Sequence, residues 1–420
     1  MKAIRKFLLV LFIFCFLVVQ AYAQVQLSWQ DCIIEAKKNN PDLISAEEFT
    51  KEQKANKTIT ASSLFPQVDA SLGASTGGSS DQSQDSYSYG VSGSQLVFDG
   101  MKTMNNINAA KENVKAAQQN YRFASSNVRL ALRTAFVNLL KAQELIKVAE
   151  EIVKIRKENF ELITLRYHSG LEHKGALMTA EANLSQASFE LAQAKRNIEL
   201  AQRQLTKEMG RNDFMPMKVM GEFIVSDQAK EKPDFTSIVG NNPQVLEALA
   251  RKNSATFGIK SAYGNFAPQV SGSASAGKNS GHWPPEDNQW NLGVNVSMPI
   301  FEGGLRTAEV ARARASYNQA EADQRSIRDQ AIVGLEQTWA SLQDAVELVD
   351  VGLKNLKATE ERAKIAEAQY STGFISFDNW IIIQDDLVRA KNTYLAARAN
   401  ALYTEADWIQ AKGETLEYAQ

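Results

Sequence analysis

The chain has 420 residues, of which 44% are hydrophobic and 22% charged, so it can bury a sizeable core. Its 46 basic and 48 acidic residues nearly balance, whereas a nucleic-acid binder of this size usually carries a basic excess. Two cysteines exclude a disulfide framework, and three histidines argue against a histidine-built metal enzyme. Nine prolines favour long, uninterrupted helices.

The first residues have the pattern of an export signal. Basic residues within the first six positions precede the apolar run Phe7–Val19, and Ala21-Tyr22-Ala23 supplies a small-residue cleavage site. The run is too short to span a bilayer as a helix, and no later run reaches that length. We predict a signal peptide over residues 1–23, a mature chain without a lipid anchor or a helical membrane span, and Cys32 as its single thiol.

An internal duplication is the most informative feature of the sequence. Four landmarks of the first half return in the second half, two of them 202 residues later and two 203 residues later. They are Asn39-Asn40-Pro41 and Asn241-Asn242-Pro243, Pro66-Gln67-Val68 and Pro268-Gln269-Val270, Phe98-Asp99-Gly100 and Phe301-Glu302-Gly303, and Tyr167-His168-Ser169-Gly170 and Tyr370-Ser371-Thr372-Gly373. We predict structural repeats over 24–210 and 236–412, a connector over 211–235 and a short tail over 413–420.

Each repeat should contain one very long helix. Gly100 and Gly170 are 70 positions apart with no proline between them, and apolar residues recur there in steps of three and four, which is typical of a coiled-coil seam. The interval from Gly303 to Gly373 repeats this pattern, and each helix would be about 100 Å long. Shorter helices over about 41–63 and 175–209, and again over 243–265 and 377–411, would stack end to end beside the long ones.

Between the short and long helices the apolar period changes to two. Trp290, Leu292, Val294 and Val296 alternate with small polar residues, and three further segments show the same alternation. Strands of about nine to eleven residues with one apolar and one polar face fit a membrane β-barrel with a wet lumen. The polar stretches 75–86 and 278–288 are predicted to be outward-facing loops. Four strands leave edges that lipid does not tolerate, so we expect a symmetric trimer that closes a 12-stranded barrel.

These motifs together resemble the TolC-like outer membrane factor family of outer membrane efflux proteins. The resemblance covers essentially the whole mature chain. Besides the duplicated landmarks, it is carried by the segments that follow the second strand of each repeat, Leu96-Val97-Phe98-Asp99-Gly100 and Met298-Pro299-Ile300-Phe301-Glu302-Gly303-Gly304. Their strand–helix junction residues are Phe98, Gly100, Pro299, Phe301 and Gly303.

The resemblance implies a mainly α fold with a membrane β-barrel and a periplasmic α-helical barrel formed by a homotrimer. It further implies a passive outer-membrane exit duct of a tripartite efflux or type I secretion system, without cofactor, catalytic activity or nucleic-acid partner. A periplasmic adaptor and an inner-membrane transporter would engage its periplasmic tips. The implied adaptor-docking residues are Arg166, Tyr167, Gly170, Leu171, Tyr370, Gly373, Ile375 and Ser376. Alternatively, the two glycines merely permit the turns.

The gate departs from the family pattern. Tyr370 matches the family's lock tyrosine, but Ile375 replaces the arginine and Ala176 replaces the carboxylate, so the usual ionic lock should be absent. The implied candidate gate residues are Tyr370, Phe374, Phe377, Asp378 and Trp380. The three aromatics after the glycine either form an apolar constriction or pack into the coiled coil.

Other interpretations have less support. His168, Glu172 and His173 could suggest a metal site, but three candidate ligands without a fourth are more typical of a solvated turn. A periplasmic coiled-coil adaptor or scaffold would leave the alternating strands unexplained. A secreted enzyme would need a convergent set of catalytic groups, which the sequence does not show.

Overall fold

The computed structural model describes residues 25–79, 82–225 and 231–418. The predicted signal peptide over 1–23 lies outside the described residues. Within the described residues, no helix combines the length and the apolar character that crossing a membrane would require.

The helices reproduce the duplication almost residue for residue. They are α1 (Trp29–Asn39), α2 (Pro41–Ser62), α3 (Lys102–His168), α4 (Lys174–Glu208), α5 (Phe235–Val239), α6 (Pro243–Gly264), α7 (Leu305–Ser371) and α8 (Phe377–Ala411). The long helices α3 and α7 have 67 residues each, the short helices α2 and α6 have 22 each, and the return helices α4 and α8 have 35 each. The predicted long, short and return helices are therefore confirmed.

The duplicated asparagines explain why the short and return helices stack. Asn40 caps α2 through its side-chain oxygen, while its Nδ2 donates to the carbonyl oxygen of Glu208 at 2.9 Å. Asn242 caps α6 in the same way, and its Nδ2 donates to the carbonyl oxygen of Ala411 at 3.1 Å. The side chain of each asparagine thus forms hydrogen bonds with the backbone N–H at the start of one helix and with a backbone carbonyl at the end of another. The proline that follows occupies the first helical position, where no N–H is needed.

The helices form a wall four columns wide. The column α2/α4 packs on α3, α3 packs on the column α6/α8, and that column packs on α7. Seam residues of α3, including Ile107, Ala117, Val128 and Leu139, are buried as the three-and-four spacing predicts. Within the described chain, the column α2/α4 and the helix α7 each have a neighbouring column on one side only.

One antiparallel sheet continues this wall. Its strands are β2 (Gln67–Ser79), β3 (Gln82–Phe98), β5 (Gln269–Ser280) and β6 (Asp287–Ser297), in the spatial order β2-β3-β5-β6. Each half supplies one hairpin, and β3 pairs with β5 across the duplication.

The predicted loops over 75–86 and 278–288 are wrong in extent. β2 and β3 remain paired from Ser75↔Ser86 to Ser79↔Gln82, and β5 and β6 pair as far as Asn279↔Asp287. Polar composition suggested loops, but ladder hydrogen bonds use the backbone and do not need apolar side chains. The strands are therefore longer than the apolar band, with 11 to 17 residues.

The sheet register gathers the alternating apolar residues on one face. Leu72 is opposite Tyr89 on β3, and Ala276 on β5 is opposite Trp290 on β6. In β6, the side chains of Trp290, Leu292, Val294 and Val296 are 63% to 80% exposed. The sheet thus presents a broad apolar surface, which is stable only away from water.

A compact core lies about midway along α3. β1 (Val25–Leu27) pairs in parallel with β4 (Met217–Val219), a strand within the predicted connector. Both pack with α1 against Leu132, Phe136 and Leu139 of α3. The tail also docks here, since Leu416 is fully buried and Glu414 pairs with Arg129.

Candidate functional site at the helical tips

The two tips, residues 166–176 and 369–379, are the turns that follow α3 and α7, and both end their helix in the same way. In the first tip, the N–H of Leu171 donates to the carbonyl of Arg166 at 2.8 Å, and that of Gly170 to the carbonyl of Tyr167 at 3.1 Å. This is a Schellman motif, whose left-handed residue is Gly170 at φ +70°.

The second tip repeats the motif 203 residues later. The N–H of Phe374 donates to the carbonyl of Gln369 at 2.8 Å, and that of Gly373 to the carbonyl of Tyr370 at 3.0 Å. Gly373 has φ +81°. Any other residue at either glycine would adopt this conformation at a cost, so both tips require glycine for their backbone alone.

The tips differ in the residue that begins the return helix. His173 caps α4, because its Nδ1 accepts a hydrogen bond from the N–H of Ala176 at 3.1 Å. Ser376 caps α8, because its Oγ accepts from the N–H of Asn379 at 3.4 Å. The caps occupy equivalent positions, yet one is an imidazole and the other a hydroxyl.

The predicted docking residues fall into three groups by exposure. Gly170, Leu171, Gly373 and Ser376 lie at the exposed end of the tips, with Leu171 66% exposed. Arg166, Tyr167 and Ile375 are half-buried beneath them. Tyr370 is only 1% exposed, so its side chain lies beneath the surface and supports it from inside.

Tyr370 links the two tips. Its hydroxyl donates to Glu172 Oε2 at 2.5 Å, and the Arg166 guanidinium carbon lies 4.7 Å from its ring centroid. Burial first, and then the bond to Glu172, raise the pKa of Tyr370, so the hydroxyl stays protonated and donates. Ile375 and Ala176 stand where the family pattern has an arginine and a carboxylate. Their apolar side chains make no such link. Sequence reasoning missed Glu172, which follows the first glycine by two residues instead of six.

The structure does not bring the three predicted gate aromatics together. Trp380 is fully buried and stacks on Tyr370 with ring centroids 4.5 Å apart and planes at 6°, and Phe377 is buried beside them. The other buried members of this cluster are Ile163, Ala176, Ala180 and Ala366. Phe377 and Trp380 therefore pack into the protomer, which was the alternative interpretation of the sequence.

Phe374 is different, because its side chain is 84% exposed at the end of the second tip. Asp378 is exposed in the first turn of α8. The candidate gate thus divides into a buried support, formed by Tyr370, Phe377 and Trp380, and two exposed residues.

Further contacts join α3 to α8 above the tips. Arg156 Nη2 lies 2.5 Å from Asp385 Oδ1, and Lys391 Nζ lies 3.0 Å from Glu151 Oε1. Arg156 itself is 7% exposed, so this ion pair is largely shielded on one side. Together with the Glu172–Tyr370 hydrogen bond, these ion pairs hold the helices of the first repeat against those of the second repeat near the tips.

The three polar side chains that suggested a metal site are arranged for other contacts. His173 Nδ1 faces the N–H of Ala176, Glu172 Oε2 accepts from Tyr370, and His168 lies exposed on α3. Among the described residues, no group of three metal-ligating side chains comes together.

The strand–helix junctions connect the sheet to the wall. Gly100 has φ +67°, and a side chain there would collide with Ala267 and with the carbonyl of Gly264 at the end of α6. Gly303 also has a positive φ, of 57°, but open space around it. Phe98 is 42% exposed and Phe301 is 89% exposed, while Pro299 is half-buried between the sheet and α7. The first junction is therefore fixed by close packing and the second by backbone conformation.

An apolar-faced antiparallel sheet that continues into a wall of 67-residue helices with capped turns defines a class of outer-membrane channel proteins. The chain belongs to the outer membrane efflux protein family, whose model matches residues 32–211 and 236–414. It is accordingly an outer-membrane channel protein with a large periplasmic helical part, and the family is one of efflux channels and not of enzymes.

Individual relatives agree with this assignment. The chain is 21% identical over 381 residues to the outer membrane efflux protein BepC of Brucella suis, covering 87% of this chain and 82% of that protein. Its fold matches crystal structures of CusC, with a TM-score of 0.83, 19% identity and 91% of each chain covered. It also matches the open state of the Neisseria gonorrhoeae MtrE channel, with a TM-score of 0.81, 19% identity, and 92% and 89% of the two chains covered.

Proposed function

We propose that three copies of this chain form the passive exit duct of a tripartite efflux or type I secretion system. The sheet would close into a 12-stranded barrel in the outer membrane, and the helices into a periplasmic tube. A periplasmic adaptor and an inner-membrane transporter would engage the tips. The open edges of both the sheet and the helical wall carry this proposal.

The sheet cannot remain open in lipid. β2 and β6 are its outer strands, and each has one side without a partner strand in the described chain. Unpaired backbone groups in a membrane cost several kcal/mol each, of the order of 2–7, so pairing of β2 with β6 of a neighbouring copy is strongly favoured.

The helical wall also has two free edges, and these carry exposed apolar side chains. On α4, Met178, Phe189 and Leu200 follow one another at 11-residue intervals and are 54% to 59% exposed, so they form one stripe along the helix. On α7, Leu348 and Ile365 are 49% and 56% exposed. The two edges face opposite ways along the wall, so copies would join head to tail and close into a ring.

The tips supply the docking surface in this proposal. Leu171 and Phe374 are apolar side chains on exposed turns, and both follow a glycine in a left-handed conformation. Such exposed apolar residues on rigid turns are suited to contact a partner protein. Beneath them, the buried support around Tyr370 fixes their position, and Phe374 is the aromatic residue that can narrow the opening.

The test is the association state of the purified protein. Phe189→Asp and Leu348→Asp each place a charge on one free edge and should convert detergent-extracted trimers to monomers, as measured by light scattering after size-exclusion chromatography. Leu165→Asp is the matched control, because Leu165 is 65% exposed but lies on α3, which has columns on both sides. Recovery of the unmodified protein as a detergent-free soluble monomer would overturn the proposal.

A further inference from the structure

The first tip contains two of the three histidines of the chain, whereas the second tip contains none. The positions equivalent to His168 and His173, 203 residues later, are Ser371 and Ser376. The two turns otherwise share their backbone hydrogen bonds. The second tip is therefore a natural comparison for the first, with a cap residue that does not change charge.

The cap of α4 depends on the protonation state of His173. Its Nδ1 accepts from the N–H of Ala176, so that nitrogen must carry no proton. Gly175 makes this geometry possible, because a Cβ at that position would lie 3.0 Å from Nδ1 and 3.1 Å from Cε1 of the ring. The equivalent of Gly175 is Asp378, and the shorter Ser376 accepts from the N–H of Asn379 without such space.

Protonation of this ring would act on the helix cap directly. A cationic imidazole carries a proton on both nitrogens, so Nδ1 would face the N–H of Ala176 as one donor against another. The charge would also lie at the positive end of the α4 dipole, where cations are disfavoured. Histidine is the side chain that ordinarily changes charge between pH 5 and 8.

The same ring lies beside the contact that joins the tips. His173 Nε2 is 3.8 Å from Glu172 Oε1, and Glu172 accepts the hydroxyl of Tyr370 through its other oxygen. A cationic ring would draw Glu172 towards itself, and because the carboxylate is one rigid group, this movement would also displace the oxygen that accepts from Tyr370.

The His173 ring lies beside the Glu172 carboxylate and packs edge to face on the Phe377 ring of α8, with centroids 6.4 Å apart. The other charged or titratable groups of this region are Lys174, which follows His173 in α4, Arg166 and His168 at the end of α3, and Asp378 in the first turn of α8. The lost cap and the displacement of Glu172 would loosen the same contact between the tips.

We propose that His173 is a pH-dependent cap that holds the two tips together when neutral and releases them when protonated. The channel would then open more readily as the surrounding pH falls from 7.5 to 5.5. This inference rests on the proposed channel function and adds a regulation of its tips. His173 is a positioning residue here, since it acts through Glu172 and α4.

The first measurement is the resting conductance of trimers in planar bilayers at pH 7.5 and 5.5. The conductance of the unmodified protein should rise about fivefold at pH 5.5, the factor that one typical N-cap contributes to an equilibrium. His173→Ser recreates the cap of the second tip and should abolish the rise between pH 7.5 and 5.5. His168→Ser, the matched control, should keep the rise. A rise that survives in His173→Ser, or no rise in the unmodified protein, overturns the inference and leaves the channel function standing.

The second measurement does not depend on conduction. Spin labels at Leu171→Cys and Phe374→Cys would report the distance between the tips, and Cys32 would not react because it is fully buried and its pKa is raised by burial to about 12. The distance should lengthen at pH 5.5 in the otherwise unmodified chain and stay constant with His173→Ser. An unchanged distance in both proteins overturns the inference. Failure to form any channel while the distance still responds would overturn the proposed function and support the pH-dependent cap.

Discussion

At the scale of single residues, the tip works through a division between buried and exposed aromatic side chains. Tyr370 and Trp380 form a stacked pair inside the protomer, and the hydroxyl of Tyr370 donates a hydrogen bond to Glu172 in the first tip. Phe374 lies outside this cluster. Substitutions only three or four residues apart should therefore have different kinds of effect.

Phe374→Ser should raise the resting conductance of the channel while leaving thermal stability unchanged to within about 0.5 kcal/mol, because the side chain is exposed in the protomer. Phe377→Ser removes a buried ring and should lower the free energy of unfolding by about 3–5 kcal/mol. Planar-bilayer recordings and thermal denaturation measure the two effects.

Asp378→Asn is the control for charge, and it should change the conductance little because an apolar constriction is insensitive to salt. Leakage with Asp378→Asn alone would show that a carboxylate, and not Phe374, closes the channel.

The sequence predicted where the tips lie but not how they are joined. Both turns followed from Gly170 and Gly373, because a left-handed turn leaves a local signal. The bond between Glu172 and Tyr370 joins residues 198 positions apart, and nothing in the local pattern distinguishes Glu172 from a solvated carboxylate. The burial of Trp380 could not be predicted either, because a spacing of three residues is compatible both with packing in a core and with lining a pore.

At the scale of elements, the ends of the helices determine the architecture more than their interiors do. The Asn-Pro pairs stack short helices on return helices, and positive-φ glycines end the long ones. These end signals repeat along the chain, and for that reason the sequence located the helix boundaries to within one or two residues.

Gly373→Val tests the most important of these ends. A side chain at Gly373 would meet nothing within 4 Å, so the cost lies in the backbone, at about 1–2 kcal/mol for the left-handed conformation. We expect intact trimers that no longer support efflux, measured by drug or dye accumulation in cells.

Gly258→Val is the matched control, because it also meets nothing within 4 Å but lies inside α6 with an ordinary helical φ. It should be neutral or slightly stabilising. Normal efflux and normal adaptor crosslinking with Gly373→Val would remove the docking role from this tip.

The elements that sequence analysis missed are those without a repeating pattern. β1 and β4 have three residues each and pair in parallel across almost 200 positions. Short strands of this kind are specified by the core that they cover, around Leu132 and Phe136, and not by their own periodicity.

At the scale of the whole molecule, one sheet face must meet lipid and the other water. Leu292 lies on the apolar face and is 77% exposed, while its neighbour Asn291 lies on the polar face. Adjacent strand residues point to opposite faces of the sheet. The same substitution made at each of two successive positions therefore tests the lipid-facing and the lumen-facing environment separately.

Leu292→Arg should reduce the yield of outer-membrane trimers, since a charge on the lipid face of a barrel costs about 2–4 kcal/mol near the bilayer midplane. Asn291→Arg should assemble normally, because the polar face borders the lumen. Membrane fractionation with heat-modifiable gel migration measures both. Equal assembly of the two variants would contradict the assignment of the sheet faces.

The long helices also act mechanically. From Phe136 in the midway core to His168 at the tip, α3 runs 32 residues without a break, which is a rigid arm of about 48 Å. A rotation of only about 6° at the core end displaces the tip of such an arm by about 5 Å. In the proposed channel, the amplitude of opening would be set by this leverage from the core, and the contacts at the tips would determine when the long helices move.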